Sequence, residues 1–260
     1  MITIAENLTA TSHIIAKALN ARDPRPIASI AEAASKAGVD YLDVNLGHGG
    51  QRAKERMEFV LEVLGDSWSG PLWIDSVDPD LMKLAAERWH GEVVLNGYAG
   101  GGEREQVIEL AASLDLDLVV FLMEKVPPAT IDERLSLAVE LIGNCVAGGV
   151  ALERIIVDPL VAPLGWVDGQ ERNADPLKIL RALPELFGTP LRSIIGLSNL
   201  LTRSTGQRAV RWLEDVFLAM AAGAGLTHVM LDLGNVELLR QAKAMTLFTG
   251  EGIFAPEQWL

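Results

Sequence analysis

Residues 92–123 read EVVLNGYAGGGEREQVIELAASLDLDLVVFLM, and this stretch holds one complete strand, helix and strand. Residues 92–96 and 116–123 are rich in Val, Leu and Phe, which is typical of buried strands. Between them, apolar side chains recur every three or four positions, as they do on one face of a helix. Two apolar strands flanked by helices predict a parallel sheet that is covered on both faces.

The same alternation continues along the whole chain, with no linker or low-complexity stretch. Eight strand-like runs occur, at residues 2–7, 40–46, 72–76, 92–96, 116–123, 154–159, 192–199 and 228–233. Their polar ends are about 32 residues apart on average, which is the size of a βα unit. Eight such units predict a single (β/α)8 TIM-barrel domain over residues 1–260. A doubly wound open sheet is the alternative, but no GxGxxG follows the first strand.

Local signals mark where several of the intervening helices begin and end. Asp78 and Asn235 are expected to cap helix N-termini. Four glycines are expected to end helices in the left-handed conformation, namely Gly38, Gly65, Gly188 and Gly223.

Composition excludes several classes of protein. The 260 residues are 49% hydrophobic, which is enough for a large core, and the net charge of −13 disfavours nucleic acid as a partner. The N-terminal residues do not resemble a signal peptide, and no apolar run is long enough to span a membrane. One cysteine and four scattered histidines indicate neither a disulfide nor a metal cluster. These features predict a cytoplasmic protein without a membrane anchor.

Six of the strand-like runs end in an Asp or Asn, and in a TIM barrel this end carries the active site. The six residues are Asn45, Asp75, Asn96, Asp158, Asn199 and Asp232. A single such residue is more often a cap or turn residue, but six together favour a ligand site. Asp43 and Asn45 point to the same side of their strand and are expected to face the barrel interior. The absence of Lys and His from these ends disfavours Schiff-base and metal-hydrolysis chemistry.

The motifs ENL, YLDVNLG, LWIDS, VVLNG, IIVDPL and GLSN, followed by FLAMAAGAG, occur in this order along the chain. Together they resemble the pterin-binding methyltransferases that move a methyl group between tetrahydrofolate and a corrinoid protein. The similarity is greatest to the methyltetrahydrofolate:corrinoid/iron-sulfur protein methyltransferases, and it covers essentially the whole chain.

The resemblance implies a role for each matching residue. Asp75, Asn96 and Asp158 are the implied pterin ligands, with Asn45 beside them, and one carboxylate can accept two adjacent N–H groups of the pterin edge. Asn199 is the implied neighbour of N5, the atom that carries the methyl group, and Asp75 is expected to help relay the proton. Gly196 and Ser198 are expected to let the backbone approach the ring. Arg208 is expected to meet the aminobenzoate-glutamate tail or, equally, to be a solvated surface residue.

The implied substrate is tetrahydrofolate or 5-methyltetrahydrofolate, and the implied methyl carrier is cobalamin on a partner corrinoid protein. Hydrogen bonding or protonation of N5 would make it a better leaving group. No DxHxxG motif is present, so the corrinoid is expected to arrive on the partner. The alternatives are a dihydropteroate synthase-like enzyme and a non-catalytic tetrahydrofolate-binding subunit. The first alternative is disfavoured because the last two strand ends, GLSN and LDLGN, lack the basic residues of that family.

Three further features have a predicted role. His48, in GHGG, is expected to be a loop residue, and Cys145 is expected to be a small buried helix residue. The C-terminal stretch has more apolar side chains than one outer helix needs, namely Leu247, Phe248, Ile253, Phe254 and Trp259. This surplus predicts a homodimer, with twofold symmetry as the default.

Overall fold

The computed structural model describes residues 1–47, 52–100, 105–202, 210–248 and 254. Its eight strands are all parallel and close into a barrel in sequence order, with β1 paired to β8. The predicted TIM barrel is therefore confirmed, and the open sheet is excluded.

The strands and helices alternate as expected. The strands are β1 Ile2–Thr9, β2 Tyr41–Asn45, β3 Leu72–Asp75, β4 Val93–Ala99, β5 Asp117–Phe121, β6 Ile155–Asp158, β7 Arg192–Gly196 and β8 His228–Leu231. The described helices are α1 His13–Ala21, α2 Pro24–Ala37, α3 Ala53–Ser67, α4 Pro79–Arg88, α5 Glu105–Leu114, α6 Ile131–Ala147, α7 Gly169–Phe187, α8 Trp212–Ala222 and α9 Val236–Ala244. Short 3-10 turns occur at Leu152–Arg154, Leu197–Leu201 and Met245–Leu247. None of the described helices combines the length and apolarity that a bilayer crossing requires.

The predicted N-caps are confirmed, whereas the predicted C-caps are only partly correct. Asp78 accepts a hydrogen bond from the backbone N–H of Asp80, and Asn235 accepts one from Leu238. Gly38 and Gly188 end their helices with φ of +63° and +68°. The prediction for Gly65 is wrong, and that for Gly223 is correct in position but wrong in conformation. Gly65 lies inside α3, which continues to Ser67, and Gly223 has φ of −66°.

Side chains alternate between the two faces of each strand. As a result, one layer of apolar side chains fills the barrel interior, and polar side chains lie above that layer. Six interior residues from six strands form that layer: Ile4, Trp73, Val94, Val119, Ile156 and Ile194. The residues two positions further along include Glu6, Asp75, Asn96 and Asp158. Because side chains alternate in a strand, these polar residues lie on the same inner face, at the carboxyl ends of the strands.

A layer of charged and aromatic side chains, the barrel floor, closes the opposite end. It includes residues that begin their strands, among them Asp117, Arg192 and His228. The buried Asp117 accepts hydrogen bonds from Arg154 and Arg192, and the buried ring of His228 packs 6.0 Å from that of Trp73. Burial, helped by the nearby Arg192 charge, lowers the pKa of His228 to about 4. This end is therefore a packed ionic layer with a neutral histidine.

Two register shifts modify the strands near their carboxyl ends. Between β1 and β2, Ala5 pairs with Leu42 but Leu8 pairs with Val44, so Glu6 and Asn7 form a bulge. Between β4 and β5, the register shifts from Asn96 to Tyr98. A side chain at Gly97 would have its Cβ 2.4 Å from the carbonyl oxygen of Val119, so this close approach requires glycine. Bulges of this kind redirect side chains next to functional sites.

Candidate functional site

A cavity of about 640 Å³ opens at the carboxyl ends of the strands, which is a typical volume for a small-molecule site. Its described lining includes residues from β1, β2, β3, β8 and the turn after β7. The polar members are Glu6, Asn7, Thr9, Thr11, Ser12, Asp43, Asn45, Asp75, Ser198, Asn199, Thr202, Arg211, Glu214 and Asp232. Five carboxyl groups thus face one guanidinium group in the part of the lining that the structure describes.

Two neighbouring strands place Asn45 and Asp75 side by side, as the sequence predicted for the strand ends. Asn45 Nδ2 donates to Asp75 Oδ2 at 2.6 Å, and the two residues are direct partners across β2 and β3. Below them, Asp43 is 2% exposed and its Oδ1 has no partner among the described residues. Burial, followed by the charges of Asp75 and Glu6, raises the pKa of Asp43 well above its usual range. Burial also raises the pKa of Asp75 to about 6.

Glu6 is a site residue that the sequence reasoning did not select. Ser198 Oγ donates to Glu6 Oε2 at 2.9 Å, which joins β1 to the turn after β7. Burial is the main cause that raises the pKa of Glu6 to about 7, and the charges of Asp232 and Glu214 add to it. The alternation of Ile2, Ile4 and Glu6 along β1 is the sequence signal that points to an interior carboxyl here.

Asp232 follows β8 and accepts several hydrogen bonds on that side of the cavity. It accepts hydrogen bonds from Asn7 Nδ2 at 2.7 Å, Arg211 Nη2 at 2.8 Å and the Gly234 N–H at 2.9 Å. Burial alone would raise the pKa of Asp232, but these donors outweigh burial and lower it. Asp232 is therefore a carboxylate at neutral pH, and it neutralises Arg211.

Asn199 lies in the 3-10 turn Leu197–Leu201, not in a strand. The predicted strand over residues 192–199 was too long, because Leu197, Leu200 and Leu201 are buried at helical rather than alternating spacing. The side chain of Asn199 is exposed at the cavity, and no described residue forms a hydrogen bond with it. A Cβ at Gly196 would lie 3.0 Å from Asn199 Nδ2, so glycine leaves room for this amide.

Asp158 ends β6 as predicted, but the predicted strand end at Asn96 is wrong, because β4 continues to Ala99. Neither residue is in the described lining of the cavity. Both side chains are buried. Asp158 Oδ1 accepts a hydrogen bond from the Leu160 N–H at 2.8 Å, and burial raises the pKa of Asp158 to about 7. The structure therefore gathers Asn45, Asp75, Gly196, Ser198 and Asn199 around one cavity, with Asn96 inside β4 and Asp158 at the end of β6.

The remaining predicted residues have different outcomes. Arg208 and His48 lie outside the described residues. Cys145 is buried in α6 as predicted, and burial raises the pKa of its thiol to about 12.

Within the described ranges, no group of three or more His, Cys, Asp or Glu side chains is arranged to hold a metal ion. A groove of similar volume on the outer helices is lined by Glu55, Glu58, Arg88 and their neighbours, away from the strand ends.

Comparisons with known proteins agree with this picture. The methylcorrinoid:tetrahydrofolate methyltransferase of Eubacterium limosum is 25% identical over 239 residues, which is 89% of this chain and 85% of that protein. The methionine synthase of Mycobacterium leprae (strain TN) is 23% identical over 248 residues, which is 91% of this chain but 20% of that protein.

Solved structures share the fold. The dihydropteroate synthase of Xanthomonas albilineans with 4-aminobenzoic acid superposes with a TM-score of 0.66 at 18% identity, covering 96% of this chain and 92% of that one. The Yersinia pestis enzyme with a pterine-sulfa conjugate gives a TM-score of 0.65, also at 18% identity, covering 96% and 93% of the two chains. The family model described as pterin binding enzyme matches residues 6–232. This chain therefore belongs to the pterin binding enzyme family.

Proposed function

We propose that this chain is a methyltransferase that moves a methyl group between N5 of tetrahydrofolate and the cobalt of a corrinoid held by a partner protein. Family membership and the names of the two relatives support this assignment. The observation that carries it is the charge of the cavity: five carboxyl groups and one guanidinium in the described lining, with that guanidinium already paired to Asp232.

This charge balance suits one class of ligand over another. A pterin ring presents an exocyclic amine and a ring N–H side by side, and buried carboxylates are good acceptors for such a pair. A pyrophosphate leaving group, which a dihydropteroate synthase must bind, needs cationic side chains, and the guanidinium of the described lining is already paired to Asp232. The structural similarity to dihydropteroate synthases is therefore a similarity of fold, and the cavity favours methyl transfer.

In this proposal Asp158 accepts the N–H pair of the pterin, while Asp75 and Asn96 bind the remaining donors and acceptors. The buried carboxyls of Asp75 and Asp158 have pKa values of about 6 and 7, because burial disfavours their charge. A bound pterin would supply the hydrogen-bond donors that stabilise the ionised form. Asn45 holds Asp75 in position through their 2.6 Å hydrogen bond.

The chemical step needs a proton at N5. When the methyl leaves N5 for Co(I), the N5–C bond breaks, its electron pair stays on N5, and that nitrogen takes a proton. In the reverse direction, which the name of the Eubacterium limosum relative describes, N5 attacks the methyl and then releases its proton. The corrinoid supplies the cobalt that gives or takes the methyl group, and this chain binds and orients the folate.

Asn199 is the group proposed to contact N5, since its amide can donate to the nitrogen and accept from it once protonated. Its neighbour Ser198 is bonded to Glu6, whose pKa of about 7 allows that carboxyl to hold or release a proton near neutrality. Asp75 is the second candidate for this proton relay. Arg208, proposed for the folate tail, lies outside the described residues and stays a prediction.

The test is the Asn199→Ala variant in rapid-mixing kinetics with methyltetrahydrofolate and cob(I)alamin. The rate constant at saturating folate should fall by roughly 100- to 1000-fold, while folate affinity falls by less, because the hydrogen bond strengthens as N5 gains charge. An unchanged rate constant would refute the role of Asn199. If the wild-type chain binds folate but transfers no methyl to cob(I)alamin or to a corrinoid protein, the non-catalytic folate-binding subunit is correct. Formation of dihydropteroate from a pterin pyrophosphate and 4-aminobenzoate would favour the synthase.

A further inference from the structure

Four large apolar side chains, two of them tryptophans, are exposed on one sector of the barrel mouth. Val126 lies in the loop after β5 and is 72% exposed, and Trp166 and Val167 lie in the loop after β6. Trp166 is 51% exposed, and Trp212, the first residue of α8, is 58% exposed. These four residues, here called the apolar rim, come from three consecutive βα connections. In a closed barrel, consecutive connections are neighbours around the mouth.

The apolar rim is connected to the residues that line the cavity. The N–H of Leu164, two residues before Trp166, donates to the carbonyl of Leu200 at 2.9 Å, and Leu200 follows Asn199. Trp212 follows Arg211, which is bonded to Asp232. The rim therefore has a fixed position relative to the groups that are proposed to act on folate.

Acidic side chains surround this sector. The first turn of α6 carries Asp132 and Glu133, that of α7 carries Glu171, and that of α8 carries Asp215, whereas the adjacent Glu214 is buried in the cavity wall. The chain as a whole has a net charge of −13. An apolar centre with an acidic edge is complementary to a protein surface that is apolar in the middle and carries Lys or Arg around it.

We infer that the apolar rim is the docking surface for the protein that carries the corrinoid, and that this partner presents an apolar patch with a basic edge. The inference rests on the proposed function, since a corrinoid bound to another protein must reach a cavity that opens at this mouth. Two partly exposed tryptophans are side chains that contribute strongly when buried in a protein interface. Their exposure on the isolated chain is thus explained by their burial in the complex.

The test compares two methyl acceptors. One is free cob(I)alamin. The other is a corrinoid protein encoded in the source genome, chosen because it exchanges methyl groups with the wild-type chain faster than the other corrinoid proteins of that genome. The double variant Trp166→Ala/Val167→Ser should raise KM for the corrinoid protein by about 10-fold or more. Its rate with free cob(I)alamin and its KM for folate should stay within about twofold of wild type, because neither requires the rim. Val139→Ser, a similarly exposed apolar residue on α6, is the matched control and should change neither value.

The salt dependence is a second readout. KM of the wild-type chain for the corrinoid protein should rise with ionic strength, because the acidic edge attracts the partner. An unchanged KM for the corrinoid protein in the double variant, with activity toward free cob(I)alamin retained, would overturn the docking surface alone. Absence of methyl transfer by the wild-type chain to both acceptors would overturn the proposed function, and the docking surface with it. Loss of self-association in the double variant would assign the rim to a second copy of this chain.

Discussion

The Glu6→Gln variant should be more stable than the wild-type chain, by an amount that increases with pH. Glu6 is largely buried and its carboxyl has a pKa of about 7 instead of 4.5. Burial causes most of this rise, with Asp232 and Glu214 adding to it, while the Ser198 hydroxyl and Arg211 oppose it. Glutamine has nearly the same shape, carries no proton that titrates, and keeps an oxygen that can accept from Ser198. It therefore removes the cost of ionising Glu6 and retains the contact.

The size of the effect follows from this pKa. One pKa unit corresponds to about 1.36 kcal/mol, so full ionisation of Glu6 in the folded chain costs about 3 kcal/mol. Because the folded pKa is raised, the stability that the protonated carboxyl provides is complete below about pH 4.5. It is lost as the pH rises to about 7 and stays lost above that value. The advantage of Glu6→Gln should thus grow by about 2 kcal/mol between about pH 5.5 and pH 8.

Urea unfolding, followed by tryptophan fluorescence at about pH 5.5 and pH 8, measures this difference. The lower pH, about 5.5, is still above the sequence pI of about 4.8. At its pI the chain would carry little net charge, which promotes precipitation. Glu32→Gln, an exposed residue on α2, removes the same charge outside the cavity and should show the same change in unfolding free energy at both pH values. The reasoning is refuted if the Glu6→Gln advantage is equal at both pH values or falls as the pH rises.

Two further predictions concern binding and assembly. Calorimetry without added metal should show methyltetrahydrofolate binding. Asp158→Ala or Asp75→Ala should weaken this binding roughly 30- to 1000-fold, because losing a buried carboxylate acceptor costs about 2–4 kcal/mol. Wild-type affinity in both variants would contradict the pterin site. Light scattering at micromolar concentration should give about twice the 28.0 kDa of one chain. Phe248 and Phe254 are exposed in the structure, while Ile253 and Trp259 lie outside the described residues. A single-chain mass alone would rule the homodimer out.

The barrel could be predicted because each strand is marked by residues that are close together in the sequence. Alternation and β-branched composition mark each strand, and the regular spacing sets the number of βα units. The caps at Asp78 and Asn235 could also be predicted, because each cap residue is adjacent in the sequence to the helix that it begins. Helix α1 was not predicted, although its nine residues are amphipathic; its N-cap Ser12 makes no side-chain capping bond.

The residues themselves pointed to the cavity where a strand ends in a polar side chain. Asn45 and Asp75 fit that pattern, whereas Glu6 lies inside β1, where a bulge at Glu6 and Asn7 brings two successive polar side chains to the cavity. Arg211 and Asp232 are 21 residues apart, and only tertiary packing brings them together. Asn199 lines the cavity, but the 3-10 turn that carries it depends on how Leu197 and Leu200 pack, which the sequence pattern does not show.

The barrel floor restricts how molecules can enter and leave this chain. Trp73 and its layer fill the interior, and the ion pairs of Asp117 close the other end, so among the described residues the cavity has one opening, at the carboxyl ends of the strands. Folate and a docked corrinoid protein would have to share it. If the docked partner covers the opening, folate would have to enter before it and leave after it, and the kinetics would be compulsory-order. An excess of the corrinoid protein should trap folate inside and slow turnover, a form of substrate inhibition that a barrel open at both ends would not show.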